Sequence, residues 1–262
     1  MDDRGRKMNR AEQKNLKEGF KNLGLGSHVC SIYSSKEEQL SQIESFVEHG
    51  LKKNEKVLYV YDERTKKEII ERFKSAGIDI ENRLETGQFE FLSRNESYLK
   101  DGHFDPEIMF ELISEAKEKA LDEGYDSLRG VGEMTWFFKE SPSVGKLMEY
   151  ESKLNEFLQG KKITILCQYN EDKFSSENLI DVIHTHPKVA INNSLLENHY
   201  YIPAEVFSAR IKGEVDKDYY EKIKNNLTDG ADFMRTNEKA TKSDETLQSL
   251  LQTLDKLEKT GP

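Results

Sequence analysis

Short runs of strand-forming residues alternate with helix-length amphipathic segments along most of this chain. That alternation constrains the fold more than any other feature. Val57 to Tyr61 is apolar throughout, and Ile163 to Tyr169 is the most strand-like run in the sequence. Strands that lack polar alternation are buried on both faces, as in a parallel sheet covered by helices. The unit that sets the pattern is His28 to Tyr33, a run of strand formers, followed by a helical pattern from Lys36 to Gly50 and a second strand from Lys56 to Tyr61. Strand–helix–strand units of this kind build parallel sheets. The fold class expected is a three-layer α/β/α sandwich over about 28 to 202.

Local signals place the remaining elements. Ser34 or Ser35 is positioned to cap the first long helix, with Glu37 and Glu38 where the helix dipole favours acids. Asp62 is expected to cap a helix running to about Ala76, and a third strand is expected from Gln88 to Leu92, with only a polar link between. Asp105 and Pro106 have the form of a cap and a first helical residue, opening a helix to about Glu123. A strand over Ser127 to Val131 leads directly into Gly132-Glu133-Met134-Thr135-Trp136. A helix from Val144 to Leu158 carries Leu147, Met148, Tyr150, Leu154 and Phe157 inward. A short helix from about Ser175 ends at His184-Thr185-His186-Pro187, and Lys188 to Ile191 is a further candidate strand. Helical patterns follow at Ala204 to Lys212 and Tyr219 to Leu227. The leucines at 247, 250, 251, 254 and 257 span barely two heptads, too few to predict a coiled coil. The organisation expected is an extension over 1–26 whose Phe20 and Leu23 dock a short helix, a core domain over 27–212, and a helical C-terminal extension over 213–262.

Composition narrows the function classes. The chain has 262 residues and a net charge of −10, which argues against general affinity for nucleic acid or anionic membrane. No apolar run approaches the roughly 20 residues needed to span a bilayer, and no signal sequence is visible. With only Cys30 and Cys167, a disulfide scaffold is excluded, and a cytoplasmic protein with reduced thiols is expected.

Four constellations carry potential chemistry. The turn after the first strand, Tyr33-Ser34-Ser35-Lys36, sits where many α/β folds bind phosphate, yet it has no glycine. No classical ATP site is expected. His28, Cys30, Cys167, His184 and His186 are donors suited to a borderline-soft transition metal, although their spacing matches no standard zinc motif, and buried cysteines on central strands are equally explained as core residues. Cys30 beside His28 raises the question of a thiol nucleophile, for which no supporting motif is present. Glu133 and Trp136 lie at a strand's carboxyl end, where ligands bind in such folds; docking of Trp136 into the core accounts for it as well.

Several segments together resemble one family. His28-Val29-Cys30-x-x-Tyr33 with Glu37-Glu38, Lys56-Val57-Leu58-Tyr59-Val60, Tyr98-Leu99-Lys100-Asp101-Gly102-x-Phe104-Asp105-Pro106, Gly132 to Trp136, Tyr150-Glu151, Cys167-Gln168-Tyr169, His186-Pro187 and Tyr200-Tyr201-Ile202-Pro203 occur in the order of a MEDS domain, the methanogen/methylotroph DcmR-type sensory domain. The resemblance covers about 28 to 210. It implies a RecA/KaiC-like core that has lost its phosphate loop. It also implies a prokaryotic sensory module for simple hydrocarbon derivatives of one-carbon type, joined to a DNA-binding or kinase output. Carried over onto this sequence, His28, Cys30, Tyr33, Glu133, Trp136, Cys167 and Tyr169 are the expected ligand-binding residues, lining one rim pocket. A small-molecule ligand and an output domain or signalling partner reached through the C-terminal helix are the partners expected, with a homodimer as a further expectation and no direct contact with nucleic acid or membrane. The rival readings are a degenerate nucleotide-binding or thiol- or metal-dependent enzyme, and a scaffold acting through its C-terminal helix alone.

Overall fold

The structure is a computed structural model that describes residues 10–140 and 144–212. The helix expected at Tyr219 to Leu227 and the leucines beyond 237 lie outside the described residues. Among the described residues, seven strands form one sheet: β1 (His28–Tyr33), β2 (Lys56–Tyr61), β3 (Phe89–Ser93), β4 (Leu128–Glu133), β5 (Ile163–Asn170), β6 (Lys188–Ile191) and β7 (Ser194–Glu197). Their order across the sheet is β3-β2-β4-β5-β1-β6-β7. Every pairing is parallel except β6 with β7. The apolar runs Val57 to Tyr61 and Ile163 to Tyr169 thus occupy interior strands, as expected of segments buried on both faces.

Helices cover both faces. One face packs against α1 (Arg10–Lys21), α2 (Lys36–Lys52), α3 (Lys66–Ser75) and α4 (Ile80–Glu85), with Leu16, Phe20, Phe46, Ile69, Phe73 and Ile80 in its core. The other packs against α5 (Pro106–Asp122), α7 (Val144–Leu158), α8 (Ser176–Thr185) and α9 (Ala204–Lys212). A short α6 (Phe137–Glu140) follows a 3₁₀ turn at Met134–Trp136. This is the α/β/α sandwich expected. By backbone contacts the chain divides into two units, residues 1–211 and 212–262.

Local capping explains most boundaries. Ser35 caps α2 and accepts from the Glu38 N–H, and Asp105 with Pro106 opens α5. Three expectations need correction. Asp62 does not cap α3: Thr65 does, in a capping box with Glu68. The link between α3 and β3 contains α4, capped by Asp79. The chain also turns back after β6 to add β7, through Asn192 and Asn193 at φ +48° and +57°, the left-handed pair of a two-residue hairpin.

Candidate functional site

The sheet separates the residues that the sequence groups into one pocket. Successive side chains on a strand point to opposite faces. His28, Cys30, Cys167 and Tyr169 face α5, α7 and α8. Glu133 ends β4 on the opposite face, where it meets Tyr59 and the turn before α3. Tyr33 faces the same way and donates its hydroxyl to Glu63 at 3.1 Å. Trp136 is fully buried on the His28 side, stacked on Tyr98 with ring centroids 4.7 Å apart.

On the α7 and α8 face, four polar side chains converge. His28 from β1, Glu151 from α7, Cys167 from β5 and His186 at the end of α8 each bring one ligand atom within 4.8 Å of the others, and all four are buried. His28 Nε2 lies 3.2 Å from Glu151 Oε2 and His186 Nε2 lies 3.5 Å from the same oxygen. Cys167 Sγ lies 3.5 Å from His28 Nε2. Cys30, in register with Cys167 on the neighbouring strand, lies beside this cluster but contributes no ligand atom to it. His184, two residues back in the last turn of α8, is likewise outside it.

The hydrogen-bond network fixes the tautomers. Asn155 Nδ2 donates to the carbonyls of Glu151, Ser152 and Thr185, the last at 2.7 Å, so its Oδ1 is the atom facing His28. His28 Nδ1, 3.0 Å from that oxygen, must carry the proton. His186 Nδ1 lies 2.7 Å from the Val182 carbonyl, which only accepts, so it too carries a proton. Both Nε2 atoms therefore face into the cluster. Burial, aided by His186, holds the His28 imidazole down to about 4 against the pull of Glu151 and Asn155, so it is neutral at pH 7. Burial, with Glu151 nearby, pushes the Cys30 and Cys167 thiols well above their ordinary range. A thiol so raised is a poor nucleophile unless a cation joins it.

Cys167 also belongs to a second feature. Strand β4 presents Gly130 and Gly132 to this face, between Leu58 and Val60 on β2 and Ile165 and Cys167 on β5. Two missing side chains leave a trough under α5, a partly open apolar pocket of about 30 Å³ lined by Tyr98, Met109, Ile113 and Tyr150. This is room for about two water-sized groups. A Cβ on Gly132 would run into Tyr98 Oη, so the glycine is what admits the tyrosine.

The opposite face closes on itself. Glu133 Oε2 accepts from the backbone N–H groups of Asp62, Glu63 and Arg64 at 2.9, 2.5 and 3.0 Å, and Tyr59 donates to Oε1 at 2.9 Å. A side-chain carboxylate thus fills an anion nest built from the turn after β2. At the turn after β1, the Ser34 N–H and hydroxyl both donate to Glu38. The amides that would face a phosphate are engaged internally, beside acidic side chains.

The expected ligand-binding residues do not include Glu151, which appears only in the family motif Tyr150-Glu151, nor Asn155 and Gly130, whereas the sequence already places Gly132 in the pocket wall. Glu151 left a readable trace: with Leu147, Leu154 and Leu158 it forms one helical stripe, and an acid in the middle of an apolar stripe requires a partner.

No helix among the described residues is long and apolar enough to cross a membrane. The family model described as MEthanogen/methylotroph, DcmR Sensory domain matches residues 27–187. The transcriptional repressor DcmR of Methylorubrum extorquens is 27% identical over 167 residues, covering 63% of this chain and 59% of the repressor. The chain thus spans less than two thirds of that relative's length. Because the relative is a transcriptional repressor, the expected lack of contact with nucleic acid gains no support from it. The family match supports a signal-sensing role, and the chain belongs to the MEDS sensory domain family.

Proposed function

We propose that this chain senses a small, largely apolar one-carbon derivative, halogenated or methylated, in the cavity beneath α5, and that it does so in the cytoplasm. The observation that carries this reading is the cavity itself: apolar walls, room for a guest of few atoms, and a polarizable sulfur, Cys167 Sγ, at its edge. Ligand pockets are typically apolar with a few placed polar groups. A guest of two heavy atoms gains at most roughly 1.5 kcal/mol per atom, about 3 kcal/mol in all, which corresponds to a Kd of several millimolar. Affinity at that level suits detection of an abundant small metabolite.

A route for the signal is available on the same face. Asn198 donates to the carbonyls of Ile183 and His186, and the Ile202 N–H donates to the His184 carbonyl at 2.8 Å. This strap joins the end of α8 to α9, whose Phe207 sits in the core that also holds Cys167. Movement of Cys167 or His186 would reach α9 and then the segment after 212, which we assign as the link to an output domain or partner.

Trp136 is the only tryptophan and stacks on Tyr98, which lines the cavity. Titration with halogenated and methylated one-carbon compounds should therefore change its fluorescence saturably, and Gly130→Ala, which places a methyl in the cavity, should weaken the response at least tenfold. Absence of any saturable response, or a response that Gly130→Ala leaves intact, refutes the assignment.

A further inference from the structure

We propose that His28, Glu151, Cys167 and His186 form a tetrahedral site for one divalent transition-metal ion of the zinc and iron(II) class. Four arguments lead there. The first is geometric. Tetrahedral bonds of roughly 2.0 Å to nitrogen and oxygen and about 2.3 Å to sulfur put ligand atoms about 3.3 Å apart for N and O, and about 3.5 Å apart for S and N. Three of the six separations match: 3.2 Å and 3.5 Å from Glu151 to the two imidazoles, and 3.5 Å from Cys167 to His28; all six lie within 4.8 Å, close enough for one ion to draw the donors in.

The second argument is the proton inventory. Both Nδ1 protons are committed outward, to Asn155 and to the Val182 carbonyl. Inside the cluster, the buried Glu151 oxygens and His186 Nε2 have no partner at good hydrogen-bond geometry, with the Cys167 thiol and Tyr169 hydroxyl the neighbouring donors to the carboxylate. Native interiors rarely leave such groups unpaired, and lone pairs aimed at one another repel unless a cation lies between them. An imidazolium at His186 would supply a positive charge instead. It would, however, draw Glu151 into a charge-assisted bond of about 2.7–2.9 Å, shorter than the 3.5 Å present.

The third argument is charge. A thiolate and a carboxylate bring two negative charges and the two imidazoles none, so a divalent ion makes the buried centre neutral, as a low-dielectric interior demands. Imidazole and thiolate donors favour zinc or iron over magnesium or calcium. The fourth is support from outside the ligand set. Each imidazole is oriented through its Nδ1–H by an oxygen acceptor, the arrangement that holds metal-bound histidines.

Four protein donors leave no open coordination position, so the ion acts as a clamp rather than a catalyst. It ties β1, α7 and β5 to the end of α8, where the strap to α9 begins. The inference rests on the cluster alone. A protein that binds metal but ignores hydrocarbons would sustain it while refuting the cavity reading.

The test uses the full chain purified without a polyhistidine tag. Elemental analysis should find close to one equivalent of zinc or iron per chain. After chelation, added Co²⁺ should give the intense visible absorption of tetrahedral cobalt and a near-ultraviolet thiolate-to-cobalt band. Cys167→Ser should abolish that band, Asn155→Ala should weaken affinity by about tenfold or more, and Cys30→Ser should leave both intact. Near-ultraviolet circular dichroism of Trp136 shows whether each variant is folded. The proposal is overturned if folded wild-type protein holds no metal and develops no tetrahedral cobalt spectrum. It is equally overturned if the band depends on Cys30 rather than Cys167.

Discussion

Gly130 and Gly132 lie two residues apart on one strand and face, yet alanine should have opposite effects at the two positions. Neither takes a left-handed φ, so alanine suits both backbones. At Gly130 the new methyl would meet Ile165 Cγ1 at 3.3 Å and Cδ1 at 3.9 Å, a contact that a small shift of a flexible side chain relieves. Removing a strand glycine is worth about 0.5–1 kcal/mol, and burying one methyl adds about 0.8 kcal/mol. Allowing for the shift of Ile165, Gly130→Ala should stabilise the protein by about 1 kcal/mol and raise Tm by about 2–4 °C. At Gly132 the methyl would overlap Tyr98 Oη, and Tyr98 is held between Trp136 and Phe104. Overpacking of that kind costs about 1–3 kcal/mol. Tyr98→Phe removes the offending oxygen and leaves the ring carbon at an ordinary 3.4 Å, so it should rescue Gly132→Ala, with a coupling energy of about 1–3 kcal/mol in the double-mutant cycle. Urea titration followed by Trp136 fluorescence reports the transition of the unit that contains the cavity. A destabilised Gly130→Ala, or a Gly132→Ala as stable as wild type and indifferent to Tyr98→Phe, would show that the trough is not shaped as described.

Further outcomes follow from other buried polar groups. Arg129 is buried on β4 against Glu55, the Phe46 carbonyl and the Phe46 ring, so Glu55→Ala should cost about 3–5 kcal/mol in chemical denaturation, whereas replacing both partners by methionine should cost far less. Glu133→Ala strands three backbone N–H groups and the Tyr59 hydroxyl and should cost about 3 kcal/mol or more, with faster hydrogen exchange at Asp62 to Arg64 as the local signature. Burial would raise the Asp62 carboxyl, but hydrogen bonds from Arg94, Lys139 and Thr135 outweigh it and lower the group below its ordinary 3.8. A depressed acid stabilises the fold above its unfolded pKa, and that contribution is lost as pH falls through the folded value. Stability measured below pH 4 should therefore decline less steeply in Asp62→Asn than in wild type.

Glu151 shows most clearly where the sequence stops being informative. Its place in the stripe Leu147, Glu151, Leu154, Leu158 marks it as an acid facing inward, because helical periodicity is a local property. Nothing local says that it faces His28, Cys167 and His186. Those residues come from a strand, another strand and a helix end, widely spaced in the chain, and they meet only because β5 pairs with β1 in one parallel register. The same limit explains the pocket residues. Glu133 and Cys167 both lie near carboxyl ends of strands, which suggested one shared rim. The alternation of each strand, fixed relative to its neighbour by that register, sends them to opposite faces of the sheet.

The sequence by itself determined the alternation of strands and helices, the parallel character of the interior strands, the caps of α2 and α5, and the absence of glycines at the phosphate-loop position. These follow from periodicity and capping chemistry carried by residues a few positions apart. Tertiary structure alone decided that Cys167 rather than Cys30 joins the two histidines, that Glu151 completes the set, and that two glycines on β4 open a cavity beside it. Register and the stacking of helices on a sheet arise from contacts between distant segments, which no local pattern encodes.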